Sequence, residues 1–498
     1  MLAGLLASRL CHVGILWTDA DYHLAGALQI VRGSVPYRDF WFDKPPLTSL
    51  LCVLIGAHAG VPLMLASALY LFVACLLAYQ VAKRMWGERE GLLAAALLGF
   101  YLIFYLPAAV IPLAVDQAML VPHLAALACL LAGFPVAAGV AVGIAFFFNV
   151  KGLFVLAVCL LWRPGHWARI LGGFLAVLAV GAGALAATGA LRGYWEQVWK
   201  WGIAYAGSTP AAHPYRNGLV RTANWLGFHA AIAAGTILFF ARERGERLRE
   251  AWIWLVISAA AVSMGLRFAP RYYLQLLPAV AVAGARGFFF VPESWRRLAV
   301  TLAGLLLLVP AARFGPRYVM LAADLVAEQP HQWTDIALDQ DNQTAAWIVS
   351  EHAHQGDTLL VWGYRPSVFV YTRLRAGSRF LDSQPLTGVP AFTPSAPVIP
   401  AWASANRAEL ARTTPTFIVD SSGSADLGPG IEQFPELRPW LAHYHLIGHT
   451  PLSAVYQRDP LPDAAGVLAY HGLAGGAGEG LLKLGHVGNH AVDPVLTR

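Results

Sequence analysis

The sequence predicts a mainly α-helical membrane protein with a small soluble α/β domain at its C-terminal end. Of its 498 residues, 57% are hydrophobic and 13% are charged, whereas roughly a quarter of the residues of soluble domains are charged. Long apolar runs, such as 92–112 and 170–191, match the roughly 20 residues that cross a bilayer. These runs end near residue 312, and the later composition is that of a globular domain. We therefore predict a polytopic membrane domain at 1–312 and a soluble domain at 313–461.

Hydropathy predicts about eleven spans. The first, at 1–17, is interpreted as a signal anchor because it contains Arg9 and lacks a small-residue cleavage site. A re-entrant or interfacial helix is expected at 47–57, after a long polar and aromatic loop at 18–46. Some spans are too short for a straight crossing and are expected to be half-spans or to merge. The remaining spans are predicted at 61–83, 91–112, 117–133, 134–149, 152–162, 167–190, 221–241, 250–266, 272–287 and 297–312.

Basic residues near the span ends predict the orientation, because such residues accumulate in cytoplasmic loops. They fall in alternate loops, at Lys83, Arg84 and Arg89, at Arg163 and Arg169, at Arg242, Arg244, Arg247 and Arg249, and at Arg296 and Arg297. With that parity, the external face carries loop 18–46, the turn before Asp116, segment 192–220, the turn around Arg267 and the whole C-terminal domain.

The C-terminal region alternates helical and strand patterns. Helices are predicted at 343–354 and 401–411. Strands are predicted at 358–362, 416–420, 444–448 and 454–457, and the last two are expected to pair. From residue 462 to 498 the chain is rich in Gly and His without periodicity, which predicts a flexible tail.

Charge and cysteine content narrow the functional classes. The net charge is +6, but the basic residues are dispersed among loops, so the expected partner is membrane lipid and not nucleic acid. The five cysteines all lie in apolar stretches without a CxxC pair. This pattern disfavours a disulfide framework or a zinc finger.

The densest polar motif follows the first span. It comprises Trp17-Thr-Asp-Ala-Asp-Tyr22 and Gly33-Ser-Val-Pro-Tyr-Arg-Asp-Phe-Trp-Phe-Asp-Lys-Pro-Pro-Leu47. With the later segments 267–278 and 357–363, it resembles the GT-C glycosyltransferases of the protein O-mannosyltransferase and aminoarabinose-transferase branch. The resemblance implies a GT-C fold and transfer of a hexosyl or pentosyl group, with inversion, from a polyprenyl phospho-sugar to a lipid, glycan or protein. It also implies a bacterial inner membrane protein with a periplasmic active site.

Asp19 is the candidate general base. An acceptor hydroxyl or amine loses a proton during transfer, and a positioned carboxylate accelerates such a step by roughly 10² to 10⁴. The resemblance implies an essential Asp at this position. The alternative is a helix N-cap, which Asp favours. Asp21 is the competing base, because Ala20 stands where the family often has Glu.

Asp116 is the second candidate catalytic acid. A carboxylate at membrane depth costs roughly 2.5 to 3.5 kcal/mol on insertion scales, so an acid there indicates function by default. The resemblance places a second active-site acid at the start of this span. The alternative is an interfacial cap whose side chain lies in water.

Three basic residues are candidates for binding the donor phosphate: Lys44, Arg267 and Arg271. Lys44 precedes two prolines that restrict its backbone, and the matching lysine of the resembled family binds the carrier phosphate. Arg267 and Arg271 flank the break between two spans, where guanidinium groups suit phosphate oxygens. The alternative for all three is anchoring to lipid headgroups.

Asp43 and His213 are the candidate ligands of a divalent metal. The resemblance places an acidic metal ligand at Asp43, and His213 lies in an external loop. Two ligands are fewer than the usual three or four, so ordinary loop hydrogen bonds are the alternative. No cofactor besides this metal is predicted.

Two other functional classes remain open. A transporter or flippase for the same lipid predicts inverted repeats or paired broken helices, which the sequence does not display. A noncatalytic scaffold leaves the cluster of Asp19, Lys44 and Asp116 unexplained. If the enzyme hypothesis is right, these three side chains should meet in one external cavity.

Overall fold

The computed structural model describes residues 1–208, 213–327, 331, 333–388, 402–422 and 429–460, and residues 1–458 form one compact unit. Up to residue 327, most of the described residues are helical. Its helices are α1 (Leu2–Leu10), α2 (Ala20–Val31), α3 (Leu47–Val53), α4 (Val61–Met85), α5 (Glu88–Ile103), α6 (Pro107–Val110), α7 (Val115–Ala118), α8 (Leu120–Leu131), α9 (Pro135–Phe148), α10 (Gly152–Trp162), α11 (Trp167–Ala187), α12 (Leu191–Tyr194), α13 (Trp201–Ser208), α14 (Pro214–Phe228), α15 (Ala230–Arg242), α16 (Glu246–Ser263), α17 (Leu277–Phe288) and α18 (Glu293–Ala327).

Several helices are suited to a membrane by length and composition. Within the described residues, four helical stretches are long and apolar enough to cross it: Val61–Met85, Pro164–Ala187, Glu246–Leu266 and Glu293–Ala327. Helices α14 and α15 make a fifth if the pair, bent by 93°, is one span. Shorter apolar helices lie at Val115–Leu131, Pro135–Phe148, Gly152–Trp162 and Leu277–Phe288. The prediction of a polytopic helical membrane domain is confirmed.

Each predicted span coincides with helical structure, but several of them differ in their limits, including the span at 91–112, in which α5 ends at Ile103. The first helix ends at Leu10 after 9 residues, so it is shorter than the predicted span at 1–17. The span predicted at 221–241 is interrupted at His229, where α14 meets α15. The last helix continues to Ala327, past the predicted end at 312, despite Pro310 and Pro316 inside it.

The predicted loop at 18–46 contains a helix, α2. The loop prediction for this part was therefore wrong. Leu24, Ala25 and Leu28 are completely buried, so apolar packing stabilises a segment whose polar beginning resembles a loop. Gly33 ends the helix with φ +91°, a left-handed conformation typical of glycine just after a helix. The rest of the loop, from Gly33 onward, is irregular.

The basic turns predicted to share one face are joined to one another. Arg163 pairs with Glu250 at 2.5 Å, and Arg286 pairs with Glu90 at 2.7 Å and with Glu243 at 3.1 Å. These contacts link the turns before α5, α11, α16 and α18. We call this the basic end of the helices.

The polar segments predicted to share the other face also meet. In loop 18–46, the backbone N–H of Phe42 donates to Gln197 Oε1 at 2.8 Å. The backbone N–H of Trp41 donates to the carbonyl oxygen of Arg379, in the C-terminal region, at 2.7 Å. We call this the loop end of the helices.

The C-terminal region is a small α/β structure, as predicted. Its helices are α19 (Thr334–His352), α20 (Ser367–Thr372), α21 (Gln384–Thr387), α22 (Ala403–Leu410) and α23 (Arg438–Leu441), and its strands are β1 (Thr358–Trp362), β2 (Arg375–Ala376), β3 (Phe417–Asp420), β4 (Tyr444–His449) and β5 (Ala454–Arg458). The strand order is β2-β1-β3-β5-β4. Strand β1 runs parallel to β2 and β3, whereas β5 is antiparallel to β3 and β4.

The four predicted strands are present, and the predicted pairing of the last two is confirmed. The short edge strand β2 was not predicted. Both faces of the sheet are buried. Side chains of β1 alternate between the faces: Leu359 and Val361 pack in the hydrophobic cluster that includes the membrane helices, whereas Leu360 and Trp362 pack in a second cluster. Residues 462–498, the predicted flexible tail, lie outside the described residues.

Candidate active site

Asp19 occupies the N-cap position of α2 but does not act as a cap. Among the described residues, its carboxylate makes no capping hydrogen bond, and it instead forms an ion pair with Arg271. Its backbone has φ +84°, a conformation that costs a non-glycine residue roughly 1 to 3 kcal/mol and is typical of functional sites. The observed geometry therefore does not favour the N-cap alternative.

Asp116 lies deeper and is surrounded by donors. It is 3% exposed. Asn149 Nδ2 donates a hydrogen bond of 3.1 Å to Asp116 Oδ1, and Lys151 Nζ lies 3.8 Å from the same oxygen. Arg271 Nε is 3.9 Å from Asp116 Oδ2. Arg271 thus joins the two predicted catalytic acids, Asp19 and Asp116, in one cluster.

A break in the helices places Asp116 at this depth. Helix α5 ends at Ile103, and the chain then forms the short helix α6 before Asp116. The completely buried Arg9 donates from Nη1 to the carbonyl oxygen of Leu102 at 3.1 Å and from Nη2 to that of Val110 at 2.7 Å. Arg9 therefore satisfies carbonyl groups that the interrupted helix leaves without helical partners.

Lys44 lies at the edge of the same cluster. Its ammonium group pairs with Asp43 Oδ2 at 2.6 Å, and its side chain is 33% exposed. The hydroxyl of Tyr37 donates to the Lys44 carbonyl oxygen at 2.7 Å, which fixes the backbone beside the two prolines. The charges of Lys44 and Asp116 are close enough to interact. Lys44, Asp19 and Asp116 therefore lie at one place at the loop end.

Arg267 and Arg271 differ in their surroundings, although both were predicted to bind the donor phosphate. Arg267 is 6% exposed, donates from Nη2 to the carbonyl oxygen of Tyr205 at 2.9 Å, and stacks on the Tyr205 ring at 3.6 Å. This contact attaches α13 to the turn before α17. Arg271 is the one of the two that contacts Asp19 and Asp116.

Asp21 faces the C-terminal region. It is 2% exposed, accepts a hydrogen bond of 2.6 Å from the backbone N–H of Tyr22, and lies within charge interaction of Asp339 and Asp382. The competing base is therefore packed away from Arg271. The geometry favours Asp19 over Asp21 as the acid that an acceptor reaches.

Among the described residues, the neighbours of the Asp43 carboxylate are hydrogen-bond donors. Asp43 Oδ2 already accepts from Lys44 and, at 3.2 Å, from the indole N–H of Trp201. His213 is exposed in the turn that precedes α14. No group of three or more His, Cys, Asp or Glu side chains suited to a metal comes together in the described ranges. The residues present favour the alternative of loop hydrogen bonds at Asp43.

Asn149 and Lys151 were missed by the sequence reasoning. They lie in the turn between α9 and α10, and Lys151 also stands over the ring of Tyr272, 3.5 Å from its centroid. A signal was available: a lysine between two apolar runs, in a turn that the predicted parity places on the external face.

Asp382 is a further acid that was not singled out. It is 5% exposed, and burial together with the negative charge of Asp43 raises the pKa of Asp382 to about 7. It belongs to the C-terminal region, where an Asp in a turn is too common to attract notice. Its charge interactions with Asp43 and Lys44 bring this region next to the phosphate candidates.

The fold is similar to that of ArnT in two crystal structures. The crystal structure of ArnT from Cupriavidus metallidurans bound to undecaprenyl phosphate matches with a TM-score of 0.60 and 14% identity, over 91% of this chain and 96% of that chain. The structure of that ArnT in the apo state matches with a TM-score of 0.56 and 15% identity, over 90% and 95% of the two chains. The GT-C fold predicted from the resemblance is confirmed.

An archaeal structure shows a weaker likeness. The oligosaccharyltransferase AglB from Archaeoglobus fulgidus, in complex with an inhibitory peptide and a dolichol-phosphate, has a TM-score of 0.44 and 11% identity over 84% of this chain and 69% of that chain. No protein-family model and no curated protein sequence matches the chain significantly.

Proposed function

We propose that the protein is a membrane glycosyltransferase that moves a hexosyl or pentosyl group from a polyprenyl phospho-sugar to an acceptor at the external face of a bacterial inner membrane. The observation that carries the proposal is the convergence of Asp19, Asp116, Arg271 and Lys44 at the loop end. A carboxylate, a guanidinium and an ammonium group together match the needs of phosphate departure and proton removal. The similar fold of ArnT, whose structure holds undecaprenyl phosphate, supports a lipid phosphate as carrier.

The exposure of these side chains supports a different role for each acid. The Asp19 side chain is 27% exposed, whereas that of Asp116 is 4% exposed. An incoming acceptor therefore reaches Asp19 first, and Asp19 takes the proton of the acceptor hydroxyl or amine. The acceptor atom bonds to the anomeric carbon, the bond from that carbon to the phosphate oxygen breaks, and Lys44 and Arg271 stabilise the departing lipid phosphate. Attack from the side opposite the phosphate inverts the anomeric carbon.

The charges in the cluster are balanced before any donor binds. Asp43 pairs with Lys44, Asp19 pairs with Arg271, and Asp116 faces Lys151. A donor phosphate adds negative charge and competes with Asp43 for Lys44 and with Asp19 for Arg271. Drawing Arg271 toward the phosphate releases Asp19. Donor binding would in this way free the base when it is needed.

Product analysis tests the proposal. The purified protein in liposomes is incubated with defined polyprenyl phospho-sugars and a panel of lipid, glycan and peptide acceptors. We expect mass spectrometry to detect a glycosylated acceptor together with free polyprenyl phosphate. Movement of intact donor between leaflets without release of polyprenyl phosphate would instead indicate the flippase alternative, and neither activity would indicate a scaffold.

Two replacements of Lys44 distinguish the effect of its positive charge on donor binding from the effect of its hydrogen-bond geometry. We expect Lys44→Ala to raise the donor KM by roughly 10- to 100-fold, since a charged hydrogen bond contributes about 1.5 to 3 kcal/mol. Lys44→Arg should raise it less, because the positive charge is kept although the donor geometry changes. Donor titration measures both. Lys200→Ala, which removes an exposed lysine between α12 and α13, is the control, and a Lys44→Ala variant with the KM of this control would remove Lys44 from the donor site.

Cysteine labelling tests the orientation. The background replaces Cys11 and Cys129, the native cysteines that are not fully buried. We expect an impermeant thiol reagent to label His354→Cys, in the C-terminal region, in spheroplasts with an intact inner membrane. Arg249→Cys, at the basic end, should react only after the membrane is ruptured. The reverse pattern would overturn the proposed orientation.

A further inference from the structure

Lys151 is a buried cation that the proposed reaction leaves without a role. The residue is 5% exposed, and within the described ranges its ammonium group has no hydrogen-bond partner. Its nearest charge is Asp116 Oδ1 at 3.8 Å, and it lies over the Tyr272 ring. Removing an ammonium group from water costs several kcal/mol, which an ion pair offsets only with good geometry. A lysine held in this way is expensive to keep for stability alone.

Both polar backbone groups of Lys151, the N–H and the carbonyl oxygen, form hydrogen bonds with side chains. Its N–H donates to Asn149 Oδ1 at 3.1 Å, and its carbonyl oxygen accepts from Gln275 Nε2 at 3.3 Å. Asn149 also donates through Nδ2 to Asp116. The Asn149 side chain therefore binds both the Lys151 backbone and the Asp116 carboxylate. This arrangement limits how far the ammonium group can move from the carboxylate.

The two oxygens of Asp116 face different partners. Oδ1 faces Asn149 and Lys151, whereas Oδ2 faces Arg271 Nε at 3.9 Å. Holding Oδ1 on one side orients Oδ2 toward the guanidinium group on the other. Arg271 in turn contacts Asp19. Neighbouring charges therefore connect Lys151 to Asp19 through Asp116 and Arg271.

We propose that Lys151 is a positioning residue that acts through Asp116. It keeps the Asp116 carboxylate oriented, and the carboxylate holds Arg271 where that group meets both Asp19 and the departing phosphate. This inference rests on the proposed function. It assigns Asp116 the task of an electrostatic anchor and leaves proton removal to Asp19.

Steady-state kinetics of Lys151→Met test the proposal, since methionine keeps the length of the side chain and removes its charge. We expect kcat to fall by roughly 10²-fold, the loss typical of a misplaced reacting group, with the donor KM changed less than about threefold. Lys151→Arg should recover part of kcat because it keeps the charge. The matched control is Lys83→Met at the basic end, where the ammonium group also lies over a tyrosine ring, that of Tyr79, at 5.2 Å.

A double-mutant cycle distinguishes positioning from a general loss of structure. If Lys151 acts through Asp116, the variant carrying both Lys151→Met and Asp116→Asn should have the kcat of Asp116→Asn alone, because contacting residues that share one task are not additive. Losses that multiply would overturn the proposal. A higher KM with an unchanged kcat would also overturn it and would make Lys151 a direct phosphate ligand.

The fold and the proposed function are monitored separately. Binding of polyprenyl phosphate, measured by native mass spectrometry, should be nearly equal for Lys151→Met and the unaltered protein. If the unaltered protein transfers sugar and Lys151→Met does so at the same rate, the inference on Lys151 fails and the proposed function stands. If the unaltered protein releases no polyprenyl phosphate from any donor, the proposed function itself fails.

Discussion

Asp19→Asn is expected to lower kcat for sugar transfer by roughly 10² to 10⁴, the contribution of a positioned general base. The substitution is nearly isosteric, and Asn tolerates a left-handed backbone better than most residues do. The fold and insertion should therefore stay close to those of the unaltered protein. Turnover with a saturating donor, together with gel filtration in detergent, measures both effects.

Asp21→Asn is the matched control for this prediction. It changes a buried acid two residues away, whose charge interacts with Asp339 and Asp382 of the C-terminal region. We expect its kcat to stay within a few-fold of normal, with any effect appearing in stability. Loss of turnover in Asp21→Asn with near-normal turnover in Asp19→Asn would move the base to Asp21. Normal turnover in both variants would remove this segment from the chemistry.

Arg271→Gln is expected to lower kcat/KM by at least about 10²-fold. Two effects combine: the departing phosphate loses a cation, and Asp19 and Asp116 lose the group that lies between them. The cost of removing one preorganised electrostatic donor is typically of this size. Arg271→Lys should recover only part of the loss, because an ammonium group lacks the guanidinium fork that reaches several oxygens. Donor titrations measure both variants.

The control for Arg271→Gln is Arg192→Gln at the same end of the helices. Arg192 is 90% exposed and pairs with Glu196 in the next turn, so its replacement should leave kcat/KM nearly unchanged. Retained binding of polyprenyl phosphate to Arg271→Gln at normal affinity, with normal turnover, would contradict the role assigned to Arg271. Equal losses in both variants would indicate a nonspecific effect of surface charge.

Hydropathy predicted where the apolar helices lie, because a bilayer demands continuous apolar sequence with internally satisfied backbone groups. Of the eleven predicted spans, only four within the described residues, or five with the bent pair, are helices long enough to cross. Hydropathy could not predict helix α2, whose stability comes from burial of Leu24 and Leu28 against other segments. The 93° bend at His229 was also missed, since no proline marks it and a single glycine such as Gly227 is tolerated within a helix. The extension of α18 to Ala327 crosses Pro316, which local rules interpret as a helix end.

The candidate site was predictable where its residues lie in one compact motif. Asp19 and Lys44 belong to the motif at 17–47, and an acid at the start of a span made Asp116 conspicuous. Sequence alone could not distinguish Arg271 from Arg267, because a short 3-10 turn aims only one of them at Asp116. The pairing of Asp116 with Lys151 joins α7 to the turn between α9 and α10, so it depends on tertiary packing that hydropathy does not describe.

The most direct measurement of the central claim is a cryo-electron microscopy structure of the protein with bound polyprenyl phosphate. We predict that the phosphate lies within hydrogen-bond distance of Lys44 Nζ and the Arg271 guanidinium group, and that Arg271 has moved away from the Asp19 carboxylate. A phosphate bound elsewhere, with the ion pair between Arg271 and Asp19 intact, would contradict the account.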